Sequence, residues 1–130
     1  MILLDTHALL WLISDPGKLS KKATREIEKA RAGGQELAVV DITLLELATL
    51  VRKGRIELAM SIESLLDEVQ SRFVVQAITS SACVKTLELP AEYPKDPADR
   101  IIGATAWAEG IPLVTADAKI RKAKAFATIW

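Results

Sequence analysis

The chain has 130 residues, 50% hydrophobic and 26% charged, with 17 Lys and Arg balanced by 17 Asp and Glu. That length makes one domain, residues 1–130, which buries roughly two-thirds of its unfolded surface, and the hydrophobic share excludes a disordered polymer. The longest unbroken apolar run, Ala8 to Ile13, is far too short to span a bilayer, and no basic segment precedes it, which argues against a membrane span and a secretory signal and for the cytoplasm.

Strand and helix signals alternate along the chain. Ile2 to Leu4 reads as a short buried strand running into Asp5, and Ala8 to Ile13 as a first helix closed by the turn sequence Ser14-Asp15-Pro16-Gly17. Ser20 caps a helix through Arg31, with Ala23, Ile27 and Ala30 at helical spacing, and Gly33-Gly34 ends it. Leu37 to Val40 reads as a second buried strand, followed by a helix from Ile42 to Lys53 that stops at Gly54. Ser61 opens a helix over Ile62 to Ser71, Phe73 to Ala77 makes a third strand, and Ser80 to Leu87 is helical. Cys83, the one cysteine, is expected there as a small buried hydrophobe; it forms no internal disulfide and fits a reducing compartment. Pro90 to Pro97 is loop, Ala98 to Glu109 a helix closed by Gly110, and Leu113 to Thr115 a fourth strand. Lys119 to Lys124 forms a short helix and Ala127 to Trp130 an edge strand. Short apolar strands alternating with helices imply an α/β fold, a three-layer sandwich around a central, mainly parallel sheet of four to five strands, because parallel pairing needs crossovers that cover both faces.

The acidic residues carry the chemistry. Asp5 follows the first strand, Asp117 the fourth, and Glu46 and Asp99, with Asp96 nearby, lie near the starts of helices that face the same rim. In such sheets ligands gather beyond the carboxyl ends of the strands, and ionised carboxylates at the ends of buried segments call for a positive partner. Oxygen-only donors without a His/Cys cluster select magnesium or manganese over zinc. With five carboxylates assigned to metal, 17 basic residues face 12 remaining acids, a balance compatible with a polyanionic substrate. Arg100, Lys119 and Arg121, with Lys122 and Lys124, are the candidates for phosphate contact.

Each acid also has a structural role open to it. Asp96 with Pro97 and Asp99 makes a good helix start, Asp117 can cap the last helix, and Thr43 to Glu46 is a fair capping box in which Asp41 competes as the cap. Asp5 has no obvious capping duty. His7, the single histidine, reads as a helix-start residue satisfied by backbone, with proton transfer or phosphate contact as the sharper alternative. The apolar runs Ala8 to Ile13 and Leu44 to Val51 point to an exposed hydrophobic groove containing Trp11, with burial inside the fold as its alternative.

Four ordered motifs carry a resemblance: Leu3-Leu4-Asp5-Thr6-His7, Thr43-Leu44-Leu45-Glu46-Leu47-Ala48, Asp96-Pro97-Ala98-Asp99-Arg100-Ile101-Ile102 and Pro112-Leu113-Val114-Thr115-Ala116-Asp117. Across nearly its whole length the chain resembles a PIN-domain ribonuclease, in particular the VapC-type toxin of a VapBC toxin–antitoxin pair. The resemblance implies a Mg2+- or Mn2+-dependent endoribonuclease with Asp5, Glu46, Asp99 and Asp117 as its acidic quartet and Asp96 as an added acid. Thr6, Thr43 and Thr115 fall on hydroxyl positions beside those acids, and the implied partners are a VapB-like antitoxin, RNA and a second copy of the chain. Ala98 stands where an aromatic is usual, and Tyr93-Pro94 where a histidine is common, departures that bear on substrate preference more than on catalysis. Two other classes compete: a catalytically silent PIN-like binding module, which would have lost acids, and a small α/β phosphotransfer domain, whose paired acids near the first strand this chain lacks.

Overall fold

The structure, a computed structural model, describes residues 1–130. Five strands, β1 (Ile2–Leu4), β2 (Leu37–Val40), β3 (Val74–Gln76), β4 (Leu113–Val114) and β5 (Thr128–Ile129), form one sheet in the order β3-β2-β1-β4-β5, and every neighbouring pair is parallel. Parallel pairing demands crossovers, and these are α1 (Thr6–Ser14), α2 (Lys21–Ala32), α3 (Ile42–Arg52), α4 (Ile62–Arg72), α5 (Ser80–Thr86), α6 (Pro97–Glu109) and α7 (Ala118–Ala123). A single turn of 3₁₀ helix over Pro16–Lys18 links α1 to α2. The order differs from the 2-1-3-4-5 sheet of receiver-like domains, which argues against a receiver domain.

The period of two along each strand divides the core. Ile2 and Leu4 of β1, Leu37 and Val39 of β2 and Val114 of β4 pack with Leu9, Ile27, Leu47 and Leu65 from α1 to α4. Leu3, Ala38, Val40 and Leu113 point the other way, onto Ile102 and Ala106 of α6 and Ile120 of α7. Both faces are therefore covered, as the apolar central strands β1, β2 and β4 require. The strand order runs outward from β1 to β3 and then reverses through β4 to β5, so the switch in direction falls between β1 and β4. Their carboxyl ends flank the crevice where such sheets bind ligands.

Helix ends follow local chemistry. Ser20 and Ser61 accept hydrogen bonds from the amides of Ala23 and Ser64, and Gly110, at φ 65°, closes α6 in the left-handed region that favours glycine. Two expectations need correction. Cys83 is exposed, because α5 packs on α6 through its Ala82 side and the next residue points outward. The proposed groove over α1 is mostly filled by the chain itself: Ala8, Leu9 and Leu10 are buried, and the last strand brings Trp130 back onto Trp11, ring centroids 5.8 Å apart. Of the apolar residues on α3, Leu45 is the one left fully open, at 63% exposure.

Gly103, in the middle of α6, makes room for the buried Tyr93. A side chain at 103 would strike the Tyr93 hydroxyl and approach Phe126 Cζ to 2.9 Å. Replacing a helical glycine by alanine ordinarily stabilises by up to about 1 kcal/mol. Here overpacking reverses the sign, and Gly103→Ala should destabilise by roughly 1–3 kcal/mol. A lowered melting temperature confirms the close packing; a raised one refutes it.

Candidate active site

Asp5 follows β1 directly and is the N-cap of α1: its Oδ1 accepts a hydrogen bond from the Ala8 amide at 2.8 Å, which is why the helix begins at Thr6, two residues earlier than its apolar run implies. Asp117 ends the segment after β4 in the same manner, its Oδ1 accepting from the amides of Lys119 (2.8 Å) and Ile120 (3.1 Å). Asp96 caps α6 through the amides of Ala98 (2.9 Å) and Asp99 (3.1 Å), which places Asp99 in the first turn. Asp41 occupies the cap position of α3 without a side-chain capping bond, and Glu46 lies in the second turn.

Asp5, Glu46, Asp99 and Asp117, from four separated segments, line one cavity of about 270 Å³ together with Thr6 and His7. It opens at the reversal in strand order. Asp96 lies at its edge, on a neighbouring groove. The three threonines fall beside the acids. Thr6 donates to Glu46 Oε1, with its hydroxyl 3.1 Å from that of Thr43, and the Thr115 hydroxyl accepts from the Asp117 amide at 3.1 Å. All three are buried, so each hydroxyl is committed to this polar cluster. As they stand, no three acidic side chains come close enough to hold a metal ion; they surround the cavity, with Glu46 turned onto Thr6.

Burial and mutual repulsion dominate the electrostatics. Asp99 is pushed up to about 7, chiefly by burial and then by the charges of Asp96, Glu46, Asp117 and Asp5. Burial raises Asp5 as well, outweighing the Thr115 hydroxyl and the Ala8 amide, which favour its charged form. Glu46 is raised by burial despite the Thr6 hydroxyl. Such a cluster favours the arrival of positive charge.

The basic candidates are placed differently. Arg100, next to Asp99 in sequence, points out of the cavity: its guanidinium donates to the carbonyls of Thr86 (2.8 Å) and Pro94 (3.3 Å), tying the loop before α6 to that helix. Its position on α6 turns it away from Asp99, because adjacent helical residues lie about 100° apart. Lys119 is exposed on a separate shallow depression beside Asp96, and Arg121 is exposed on α7. His7 is exposed at the cavity mouth with its ring 6.0 Å from that of Trp11. Passed over in the sequence were Lys53 and Arg55, which line the neighbouring groove. The signal for Lys53 was its spacing of seven residues from Glu46, two turns along one helix face.

The PIN domain family model matches residues 2–125. Ribonuclease VapC22 of Mycobacterium tuberculosis is 40% identical over 120 residues, covering 92% of this chain and 89% of that protein. Among solved structures, VapBC2 from Rickettsia felis bound to a DNA fragment from its promoter shares the fold at a TM-score of 0.74 and 22% identity, covering 98% of this chain and 97% of the other. A toxin–antitoxin complex from Klebsiella pneumoniae does so at 0.64 and 22%, with coverage of 98% and 97%. The match across all four acidic segments, on a sheet that brings those segments to one rim, means that this chain belongs to the PIN domain family.

Proposed function

We propose that this chain is an endoribonuclease that hydrolyses RNA phosphodiester bonds with a divalent cation, Mg2+ or Mn2+, and acts as the toxin of a toxin–antitoxin pair. The observation that carries the reading is the convergence of Asp5, Glu46, Asp99 and Asp117 on one cavity. Hard oxygen donors without a cysteine fit a hard cation, and the raised carboxylates of Asp5, Glu46 and Asp99 favour positive charge there. Asp5, Asp99 and Asp117 would hold the ion, with Asp96 adding negative charge from the edge. When bound, a divalent cation supplies charge that neutralises the scissile phosphate and acidifies water.

The chain's own groups do the rest. Thr6 holds Glu46 in place, and Glu46, raised above the ordinary carboxylate range, accepts the proton of the attacking water. Thr115 and the helix amides orient Asp117. RNA as the substrate is supported by the relative named a ribonuclease. An antitoxin partner is supported by the neighbours solved as toxin–antitoxin complexes, and the exposed Leu45 at the rim is the kind of surface a partner covers. A silent binding module would not need the full set of acids.

Asp5→Asn and Asp117→Asn retain the cap, since asparagine caps as well as aspartate, but remove a charge from the cavity. Each should lower metal-dependent cleavage of a single-stranded RNA by at least about a hundredfold, with a melting temperature in chelator that is unchanged or raised. Cleavage that persists at the parent rate in both variants contradicts the assignment.

The Asp99 shift also sets a pH dependence. Folded Asp99 keeps its proton up to about pH 7, whereas the unfolded chain releases it near 3.8. Between these values the unfolded state binds fewer protons, so its contribution to stability is full below the lower value and falls as pH rises. In chelator, the melting temperature should decline from pH 5 to pH 8, and Asp99→Asn should flatten that decline and melt higher than the parent at pH 8. Millimolar Mn2+ should restore the parent. A parent stability that climbs through this window, or ignores the cation, tells against the crowded site.

A further inference from the structure

We infer that Lys53 and Arg55 are substrate-positioning residues that hold the phosphate backbone of a single-stranded RNA in the groove beside the carboxylates. The inference rests on the phosphodiesterase reading above and names where the strand lies. The groove, of about 460 Å³, runs between α3 and the start of α6, and Glu46, Asp99 and His7 line both it and the acidic cavity. Its α3 wall is a regular stripe in which Glu46, Thr49 and Lys53 follow one another at three and four residues, so one face of the helix leads from the acids to the cation. The seven residues from Glu46 to Lys53 span about 10 Å. That is the rise of about three stacked nucleotides.

The two cations are held at the far end by the helix stop. Gly54, at φ 65°, turns the chain; its amide donates to the Val51 carbonyl and the Arg55 amide to that of Leu50, both at 3.0 Å, which brings Arg55 back onto the groove that Lys53 lines. Neither side chain is spent on the protein. The ion pairs are Lys18 with Asp15, Arg72 with Glu68 and Lys85 with Glu88, and Lys53 and Arg55 enter none of them. Both are exposed. At the acidic end the exposed Leu45 and Pro97, neighbours of Glu46 and Asp99, offer apolar surface on which a base can rest. A polyanion fits this polarity: the scissile phosphate lies where the acids would hold a cation, and a later phosphate of the same strand meets Lys53 and Arg55. Such contacts give affinity and register without reading sequence.

The test uses the full-length chain and a short labelled oligo(U) ribonucleotide in magnesium. Lys53→Ala with Arg55→Ala should raise KM about tenfold with kcat within about twofold, and should lower the magnitude of the salt slope of binding by about 1.4, the loss of two single-strand phosphate contacts. Binding is read in the Asp5→Asn background, so no cleavage intervenes. Lys21→Ala with Lys22→Ala, exposed on α2, is the charge-matched control and should change neither quantity. If the parent cleaves RNA while the Lys53 and Arg55 variant keeps its KM and salt slope, the track is refuted and the nuclease stands. Loss of affinity for an acidic partner peptide with RNA binding intact reassigns the two cations to a protein partner and refutes it equally. If the parent binds oligo(U) with the full slope, loses it in the variant, and yet cleaves no RNA, the track holds and the nuclease reading falls.

Discussion

Carboxylates against helix N-termini are the interaction on which this site depends. Asp5, Asp96 and Asp117 each accept one or two amide hydrogen bonds from the first turn of α1, α6 and α7, so the positive ends of three helices converge where the negative side chains gather. A cap contributes about 1 kcal/mol, against roughly 4 kcal/mol for two like charges about 4 Å apart near a protein surface, so capping offsets only part of the repulsion. Asp99 is the member whose carboxylate accepts no hydrogen bond, whereas Glu46 has the Thr6 hydroxyl, and it carries the shift to about 7. Helix capping and metal binding were competing readings of these residues in the sequence. In the fold the capping is present and holds the acids in place, and the resulting crowding suits the cavity to the cation proposed for it.

The parallel sheet explains why those helix starts meet. Each strand delivers its chain to the same rim, and each following helix begins there, so every strand-to-helix junction presents an N-cap to one edge of the molecule. Reversal of the strand order between β1 and β4 opens the gap in which Asp5 and Asp117 face each other. The start of α6 is anchored from beneath by Tyr93, whose hydroxyl donates to the Asp99 carbonyl at 3.0 Å, and from the side by Arg100 on two backbone carbonyls. Arg100 thus serves the phosphate chemistry at one remove, by keeping the turn that carries Asp99 in place.

Two-sided helices account for much of the apolar excess in the sequence. On α3, Thr43 and Leu47 face the core while Leu45, Glu46 and Thr49 face a groove, so a helix that looks apolar all round is a core element on one side and a rim on the other. On α1 the excess is absorbed internally, because Trp130 at the end of the chain folds back over Trp11.

The order of elements, the caps at Ser20, Ser61, Asp96 and Asp117 and a mainly parallel sheet followed from local signals, since apolar runs, Ser and Asp caps and Gly stops act within a few residues of themselves. The cap at Asp5 did not, because its helix starts two residues before the apolar run. The four acids that line the cavity were candidates from the sequence, Asp5 and Asp117 because a carboxylate after a buried strand is costly wherever it lands, Glu46 and Asp99 because they lie near helix starts on the same rim. What the linear chain does not contain is the direction of a side chain or the path of a distant segment. Arg100 and Lys53 are both basic residues near an acid in sequence, and only the helix phase sends one to the carbonyls of Thr86 and Pro94 and the other to the groove. Cys83 reads as core by composition and is exposed because α5 has a neighbour on one side alone. Trp11 was open or closed depending on Trp130, 119 residues away. Local propensity determined the elements; long-range packing decided which of their faces meet, because contact between distant residues depends on the closed sheet and not on their neighbours in the chain.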